Sequence, residues 1–179
     1  LREGMELPEP EELEVIDRPT VRYPEPKRLP YHMKSGQLVP QMAPFGCGQR
    51  YNITGLIHDE TGFPTNSTEE AAKLMDRLMR KISDNYDDIV QCEQVSLDDA
   101  EMVIVCYGGT MRAARSAMEQ ARASGKKVGI FRPITIWPFP ERELREVLGK
   151  AKRVLVVEHN GGQLLLEIER IVKGACPVD

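Results

Sequence analysis

The run Met102-Val103-Ile104-Val105-Cys106, in the middle of a strand read over residues 101–107, constrains the fold of this chain more than any other feature. An apolar run without polar alternation describes a strand covered on both faces, as in a parallel sheet with helices above and below it. Gly108-Gly109-Thr110 follows and turns the chain into a segment with Ala114, Ala117, Met118 and Ala121 at helical spacing. The grammar then repeats. Gly125 ends that helix, residues 128–132 read as a second strand, and Pro138 and Pro140 bracket the start of a helix with Leu144, Val147 and Leu148 inward. Gly149 closes it, residues 153–158 read as a third buried strand, and Gly161-Gly162 opens a last helix carrying Leu164, Leu165, Ile168, Ile171 and Val172.

Strands alternating with helices make βαβ units with right-handed crossovers, so these three strands are expected to run parallel with helices on both faces. Residues 91–97 read as a shorter strand with Val95 inward. Only Asp98-Asp99-Ala100 separates it from the next strand, too little for a helical crossover, so it is an antiparallel neighbour or an edge. The expected fold class is α/β: a three-layer α/β/α sandwich on a mostly parallel sheet with one antiparallel strand.

The first 50 residues follow other rules. Pro8, Pro10, Pro19, Pro24, Pro26, Pro30, Pro40 and Pro44 are eight of the thirteen prolines in the chain. Proline fixes φ and lacks the N–H, which excludes a long helix or a central strand. An extended Pro-rich connecting segment is expected over residues 1–50, with one short strand around residues 13–16, ahead of an α/β domain at 51–179. A disordered linker is the alternative. Tyr23, Leu29, Tyr31, Met33, Leu38, Val39, Met42, Phe45 and Tyr51 are more anchors than such linkers carry, which favours wrapping around a partner domain or subunit. Beyond it, Ser67-Thr68-Glu69-Glu70 has the form of a capping box and opens a helix with Ala71, Leu74, Met75, Leu78 and Ile82 on one face.

Charge and cysteine usage narrow the partners. A formal net charge of −4 without a basic stripe argues against nucleic acid or an anionic membrane. No stretch reaches the roughly 18 apolar residues of a membrane-spanning helix. Cys47, Cys92, Cys106 and Cys176 are isolated, so reduced thiols in a cytoplasmic protein are expected, and no cysteine-ligated zinc or iron–sulfur cluster from this chain alone. Cys106, inside the apolar run, reads as a small buried hydrophobe. The opening at Leu1 and the end at Asp179, just past a helix, lead us to expect a piece of a longer chain.

In an open α/β sheet, ligands and partners meet the carboxyl ends of the parallel strands. Here those ends are Gly108, Gly109 and Thr110; Arg132 and the loop after it; and Glu158, Asn160 and Gln163 around Gly161-Gly162. Glycines before a helix start offer free N–H groups and partial positive charge to a phosphate or carboxylate. The competing reading is a tight turn with Thr110 capping the helix, since the dinucleotide fingerprint and the P-loop lysine are both missing. His58-Asp59-Glu60 sets an imidazole beside two carboxylates, yet consecutive residues point their side chains apart, so an interface role competes with metal or acid/base work. No Ser-His-Asp or Cys-His arrangement and no nucleophile elbow is present. No catalytic residue and no metal site is therefore expected within this chain.

Three stretches resemble one family. Thr54-Gly55-Leu56-Ile57-His58-Asp59-Glu60-Thr61-Gly62-Phe63-Pro64-Thr65 is similar to the Gly-x-Glu-His-Asp-Glu-x-Gly-x-Pro segment of 2-oxoacid:ferredoxin oxidoreductase alpha chains. Arg132-Pro133-Ile134-Thr135-Ile136-Trp137-Pro138-Phe139-Pro140 resembles the loop after a central strand in that family, and Val156-Val157-Glu158-His159-Asn160-Gly161-Gly162-Gln163-Leu164 its Val-x-Glu-x-Asn-x-Gly-Gln-Leu turn. The Gly108-Gly109-Thr110 turn fits the same pattern. Ile57 departs from the common Glu, and Gly161 from a bulkier residue.

The resemblance implies a transketolase C-terminal-like domain of an alpha subunit, with residues 1–50 leading in from a pyrimidine-binding domain. It implies thiamine diphosphate with Mg2+ and iron–sulfur clusters elsewhere in an oligomeric holoenzyme, none of them held by this chain, and coenzyme A as co-substrate. The partners it implies are the other alpha-chain domains, the beta subunit and ferredoxin. His58, Asp59, Glu60 and Gly62 would flank the active site or a subunit interface. The corresponding domain of a transketolase or a 2-oxoacid dehydrogenase beta chain, and a stand-alone small-anion-binding module, are the other readings.

Overall fold

The computed structural model describes residues 7–17, 20–21, 28–149 and 151–179. They fall into two compact units, Leu1–Ser83 and Asp84–Asp179. The division comes after Ser83, so the first long helix goes with the Pro-rich unit.

In the second unit the apolar runs become β2 (Met102–Cys106), β3 (Val128–Pro133) and β4 (Arg153–Val157), preceded by β1 (Cys92–Val95). The sheet order is β1-β3-β2-β4. β2 runs parallel to both β3 and β4, while β1 pairs antiparallel with β3, so the short strand is both an antiparallel neighbour and an edge.

The two-sided burial of β2 explains its uninterrupted apolar run. Val103 and Val105 point to one face with Phe131 and Val154 and pack under α4 (Glu141–Leu148) and α5 (Gln163–Val172). Ile104 and Cys106 point to the other with Val128 and Ile130, under α3 (Thr110–Ala123). Val103, Val105 and Cys106 are 0% exposed. Burial of each valine contributes about 1.5–3 kcal/mol. These helices on opposite faces make the expected three layers. α2 is the short helix Tyr86–Ile89.

Two details depart from the sequence expectation. On α3 the buried stripe is Met111, Ala114 and Met118, and Ala117 is exposed. The helix meets the sheet along i, i+3 and i+7, which leaves position 117 just outside the contact stripe. β4 is only half-buried beyond Val154, because it is an edge strand. Its free side is partly used: Val154 N–H donates to the Pro177 carbonyl at 2.9 Å and Val156 N–H to Asp179 at 2.8 Å.

The first unit has little core of its own. Among its described hydrophobic residues only Ala43 is buried, and α1 (Thr68–Ser83) has no buried residue. Met75 and Leu78, expected inward, are exposed, while Phe45 is 89%, Leu56 65%, Phe63 61% and Met79 61% exposed. The strand expected at residues 13–16 is absent: Pro10–Glu12 is a 3-10 turn, and the backbone after it has no described strand to pair with. Of the expected capping box only one arm forms. Ser67 Oγ accepts from Glu70 N–H at 3.3 Å, but Ser67 N–H donates to Thr65 Oγ1 and the Glu70 carboxylate turns to Lys73 at 3.1 Å. Tyr23 and Pro19, Pro24 and Pro26 lie outside the described residues.

Candidate functional site

In the first unit, residues 57–65 fold into a tight hairpin. Thr65 N–H donates to the Ile57 carbonyl at 3.0 Å, Asp59 N–H to Phe63 at 3.2 Å and Gly62 N–H to Asp59 at 3.1 Å. Asp59 closes the turn from within, accepting the Thr61 N–H at 2.9 Å and the Thr61 hydroxyl. Those two bonds, the hydroxyl first, hold its carboxyl below the usual aspartate range. Gly62 sits at φ +85°, and a Cβ there would lie 2.1 Å from the Asn52 carbonyl oxygen. No other residue fits this position. Asn52 Nδ2 in turn donates to the Gly62 carbonyl at 3.0 Å.

The three consecutive polar residues diverge, as their spacing predicts. Asp59 is consumed by the turn. Glu60 pairs with His32 Nδ1 at 2.7 Å. The His58 ring lies against Tyr31, with ring centroids 3.8 Å apart. A cleft of about 750 Å³ beside the hairpin collects His32, His58, Glu60, Lys73 and Arg77. Its charges are mutually engaged: Lys73 meets Glu69 at 2.7 Å and Glu70 at 3.1 Å, and Arg77 donates to the Leu38 carbonyl at 3.1 Å. His32 was not a sequence candidate. Nothing in its local pattern announces a partner 28 residues later in the chain.

In the second unit the carboxyl ends of the strands are wired to one another. Asn160 Nδ2 donates to the Tyr107 hydroxyl at 2.7 Å, joining the loop after β4 to the loop after β2. Gly108 and Gly162 adopt φ +59° and +95°, the tight-turn role foreseen for the glycines. Thr110 does not cap α3. Gly109 is the N-cap, and Thr110, the first helical residue, donates its hydroxyl back to the Tyr107 carbonyl at 2.7 Å.

The start of α5 carries the clearest electrostatic arrangement. Asn160 Oδ1 accepts from Gly162 N–H at 2.9 Å and Gln163 N–H at 3.0 Å. The Glu158 carboxylate accepts from Leu164 N–H at 2.9 Å and Leu165 N–H at 3.1 Å. The donors that would cradle an external anion are thus taken by the chain's own Asn160 carboxamide and Glu158 carboxylate. Partial burial disfavours the Glu158 charge, but the two N–H bonds prevail and its carboxyl lies below the usual glutamate range.

Arg132 is spent sideways rather than at the strand mouth. In register with Glu93 across the β1–β3 pair, it donates to Glu93 at 3.0 Å, and Arg115 of α3 holds the other Glu93 oxygen at 2.6 Å. Cys106 is buried, and burial pushes its thiol up. Among the described residues no group of three or more His, Cys, Asp or Glu side chains could hold a metal ion, and no helix is long and apolar enough to cross a membrane. The α5 N-terminus is already filled, so that helix start does not fit a diphosphate, and the four scattered cysteines do not fit an iron–sulfur cluster.

The sequence profile of the pyruvate:ferredoxin oxidoreductase core domain II matches residues 100–179. The 2-oxoglutarate synthase subunit KorA of Methanocaldococcus jannaschii is 42% identical over 163 residues, covering 91% of this chain and 43% of that protein. The ketoisovalerate oxidoreductase subunit VorB of Methanothermobacter thermautotrophicus is 36% identical over 133 residues, covering 74% of this chain and 36% of that protein. The chain therefore spans less than half the length of either relative. Among solved structures, the 2-oxoglutarate:ferredoxin oxidoreductase from Magnetococcus marinus, with 2-oxoglutarate, coenzyme A and succinyl-CoA bound, superposes with a TM-score of 0.77 at 27% identity, covering 91% of this chain and 28% of that one.

Proposed function

Since the chain belongs to the 2-oxoacid:ferredoxin oxidoreductase family, we propose that it is the C-terminal structural and subunit-interface domain of an alpha subunit. The holoenzyme would oxidatively decarboxylate a 2-oxoacid to an acyl-CoA and pass the electrons to ferredoxin. The observation that carries the structural role is the poverty of core in the first unit. Phe45, Leu56, Phe63 and Met79 lie largely in solvent, and Leu56 and Phe63 belong to or adjoin a hairpin whose backbone is tightly fixed. Large apolar side chains on a fixed frame are the mark of a surface built to be covered.

In this reading residues 1–50 connect from a preceding domain. His58, Glu60 and the Gly62 turn then stand at the junction with it or with the beta subunit. Thiamine diphosphate, Mg2+ and iron–sulfur clusters belong to the parts of the enzyme outside this chain, and coenzyme A binds there too. The assembly is an oligomer, placed in the cytoplasm with ferredoxin. The substrate is a 2-oxoacid, and 2-oxoglutarate is the first to assay.

The test is titration calorimetry with thiamine diphosphate, together with co-purification of the chain with the remaining alpha-chain domains and the beta subunit. No heat of binding and formation of a stable complex are expected. Tight thiamine diphosphate binding by the chain alone would overturn the division of labour.

A further inference from the structure

The topology leaves a space that the sheet does not fill. The helix that follows β2 packs on one face of the sheet, whereas α4 and α5, which follow β3 and β4, pack on the other. Just past Val105, which is itself 0% exposed, the chain at Tyr107 opens onto a space on the α4–α5 side, between the loop after β3 and the start of α5. This is where open α/β sheets form a crevice. The crevice has a volume of about 620 Å³, within the range of roughly 300–1,000 Å³ typical of small-ligand sites.

Four aromatic rings from separate places line it: Tyr86 at the start of α2, Tyr107 at the end of β2, and Trp137 and Phe139 from the loop after β3. Among the described residues no ring contact joins any two of them, and Phe139, 9% exposed, packs into the core. Trp137 is 68% exposed. Two of the phenolic and peptide groups are already satisfied: the Tyr86 hydroxyl donates to Glu143 at 2.8 Å, and the Tyr107 hydroxyl accepts from Asn160. The tyrosines are thereby fixed by their polar ends, and the Arg142 guanidinium lies over the Tyr86 ring, 5.0 Å from its centroid.

The polar groups on the wall are few and specific. Gln163 brings a carboxamide, whose donor and acceptor together match the edge of an adenine. Glu141 and Glu167 bring carboxylates of the kind that accept from ribose hydroxyls. Arg170 lies between them, paired with Glu167 at 2.7 Å and with Glu141.

We propose that this aromatic crevice at the carboxyl end of β2 binds a purine nucleoside. The base stacks among the rings with its edge toward Gln163, and the ribose faces Glu141 and Glu167. The charge on the wall decides between nucleoside and nucleotide. Glu141 and Glu167 are balanced by Arg170 and by Arg145, which holds Glu141 at 2.6 Å, so the wall is neutral and brings no unpaired cation to a 5′-phosphate. The assignment is independent of the subunit role proposed above and involves none of the residues that carry it.

Trp137 is the single tryptophan in the chain, so its fluorescence reports the site directly. The experiment is a titration of the full 179-residue chain with adenosine, adenosine 5′-monophosphate and, as an aliphatic control, cyclohexanol. Adenosine is expected to quench saturably with half-saturation below about 1 mM, to shield Trp137 from iodide, and to bind more tightly than the monophosphate. Gln163→Leu should raise the half-saturation about thirtyfold, the loss of two hydrogen bonds at about fivefold each, with circular dichroism and melting temperature unchanged. Quenching by adenosine that stays linear to about 10 mM, or equal effects of adenosine and cyclohexanol, would overturn the proposal. So would tighter binding of the monophosphate, or a Gln163→Leu variant that is folded and binds adenosine as before.

Discussion

Replacing Glu158 tests whether the start of α5 is filled from within. The wild-type carboxylate accepts two backbone N–H bonds, from Leu164 at 2.9 Å and from Leu165 at 3.1 Å. Hydrogen bonds to a charged group contribute about 1.5–3 kcal/mol each when buried, and the helix dipole adds about 0.3–1 kcal/mol. Water can reach this loop and replace part of that, so Glu158→Ala should cost about 2 kcal/mol. For a unit of this size that is a fall of roughly 8–16 °C in melting temperature. Glu158→Gln keeps an acceptor oxygen and loses the charge, so its cost should be about half as large.

The pH dependence follows from the depressed carboxyl. A group whose pKa is lower folded than unfolded contributes stability above the unfolded value, and that stability is lost as pH falls through the folded one. The gap between wild type and Glu158→Gln should therefore be complete at neutral pH and close as the pH drops below about 4.3. Thermal melts at a series of pH values give this directly. A Glu158→Gln variant as stable as wild type at pH 7, or a gap that persists unchanged down to pH 3, would refute the self-capping account.

Three other changes bear on separate parts of the structure. Gly62→Ala forces a Cβ to within 2.1 Å of the Asn52 carbonyl oxygen in a left-handed turn, so the 57–65 hairpin should open. Strain from the left-handed backbone alone is about 1–2 kcal/mol, and limited proteolysis should show new cleavage in the hairpin while the second unit stays protected. Leu144→Ala removes a side chain that is 0% exposed beneath α4 and should cost about 2–5 kcal/mol in denaturant unfolding. Glu93→Ala breaks its bridges to Arg132 at 3.0 Å and Arg115 at 2.6 Å. Both arginines keep access to solvent, so the loss should be about 0.5–1 kcal/mol and should shrink as salt is added.

The α/β unit was legible because its determinants are local. The uninterrupted apolar run at residues 102–106, the glycine turns and the helical spacing each state one element, and sheet topology adds only the order of the strands. Residues 91–97 could be narrowed to an edge or an antiparallel neighbour by connection length alone, and the observed strand, Cys92–Val95, is both. What could not be read was the choice among equivalent stripes on an alanine-rich helix. Ala114, Ala117 and Ala121 are nearly interchangeable by size, and only docking against Ile104 and Cys106 decides that Met111 is in and Ala117 out. The first unit was less legible. Its apolar residues ahead of α1 carry no period, and the pairing of His32 with Glu60 depends on how an extended segment lies against a hairpin.

The strand-end loops show a different limit, one of chemistry rather than of distance. Gly161-Gly162 before a helix reads as a place where an anion could sit, and the free N–H groups required are indeed there. Whether such a site takes a ligand depends on a single acidic residue a few positions upstream. With Glu158 and Asn160 accepting from four successive N–H groups, Gly162 to Leu165, the positive end of α5 is already neutralised. A helix start preceded by its own carboxylate holds the loop rigid and turns external anions away. The chemistry left open at this end of the sheet is then aromatic and neutral, supplied by Tyr107, Trp137 and Phe139. Removing the carboxylate should exchange one property for the other. Glu158→Ala, although less stable, should gain melting temperature with added phosphate while the wild type does not. A wild type that phosphate stabilises as much as the variant would show that the loop was never closed.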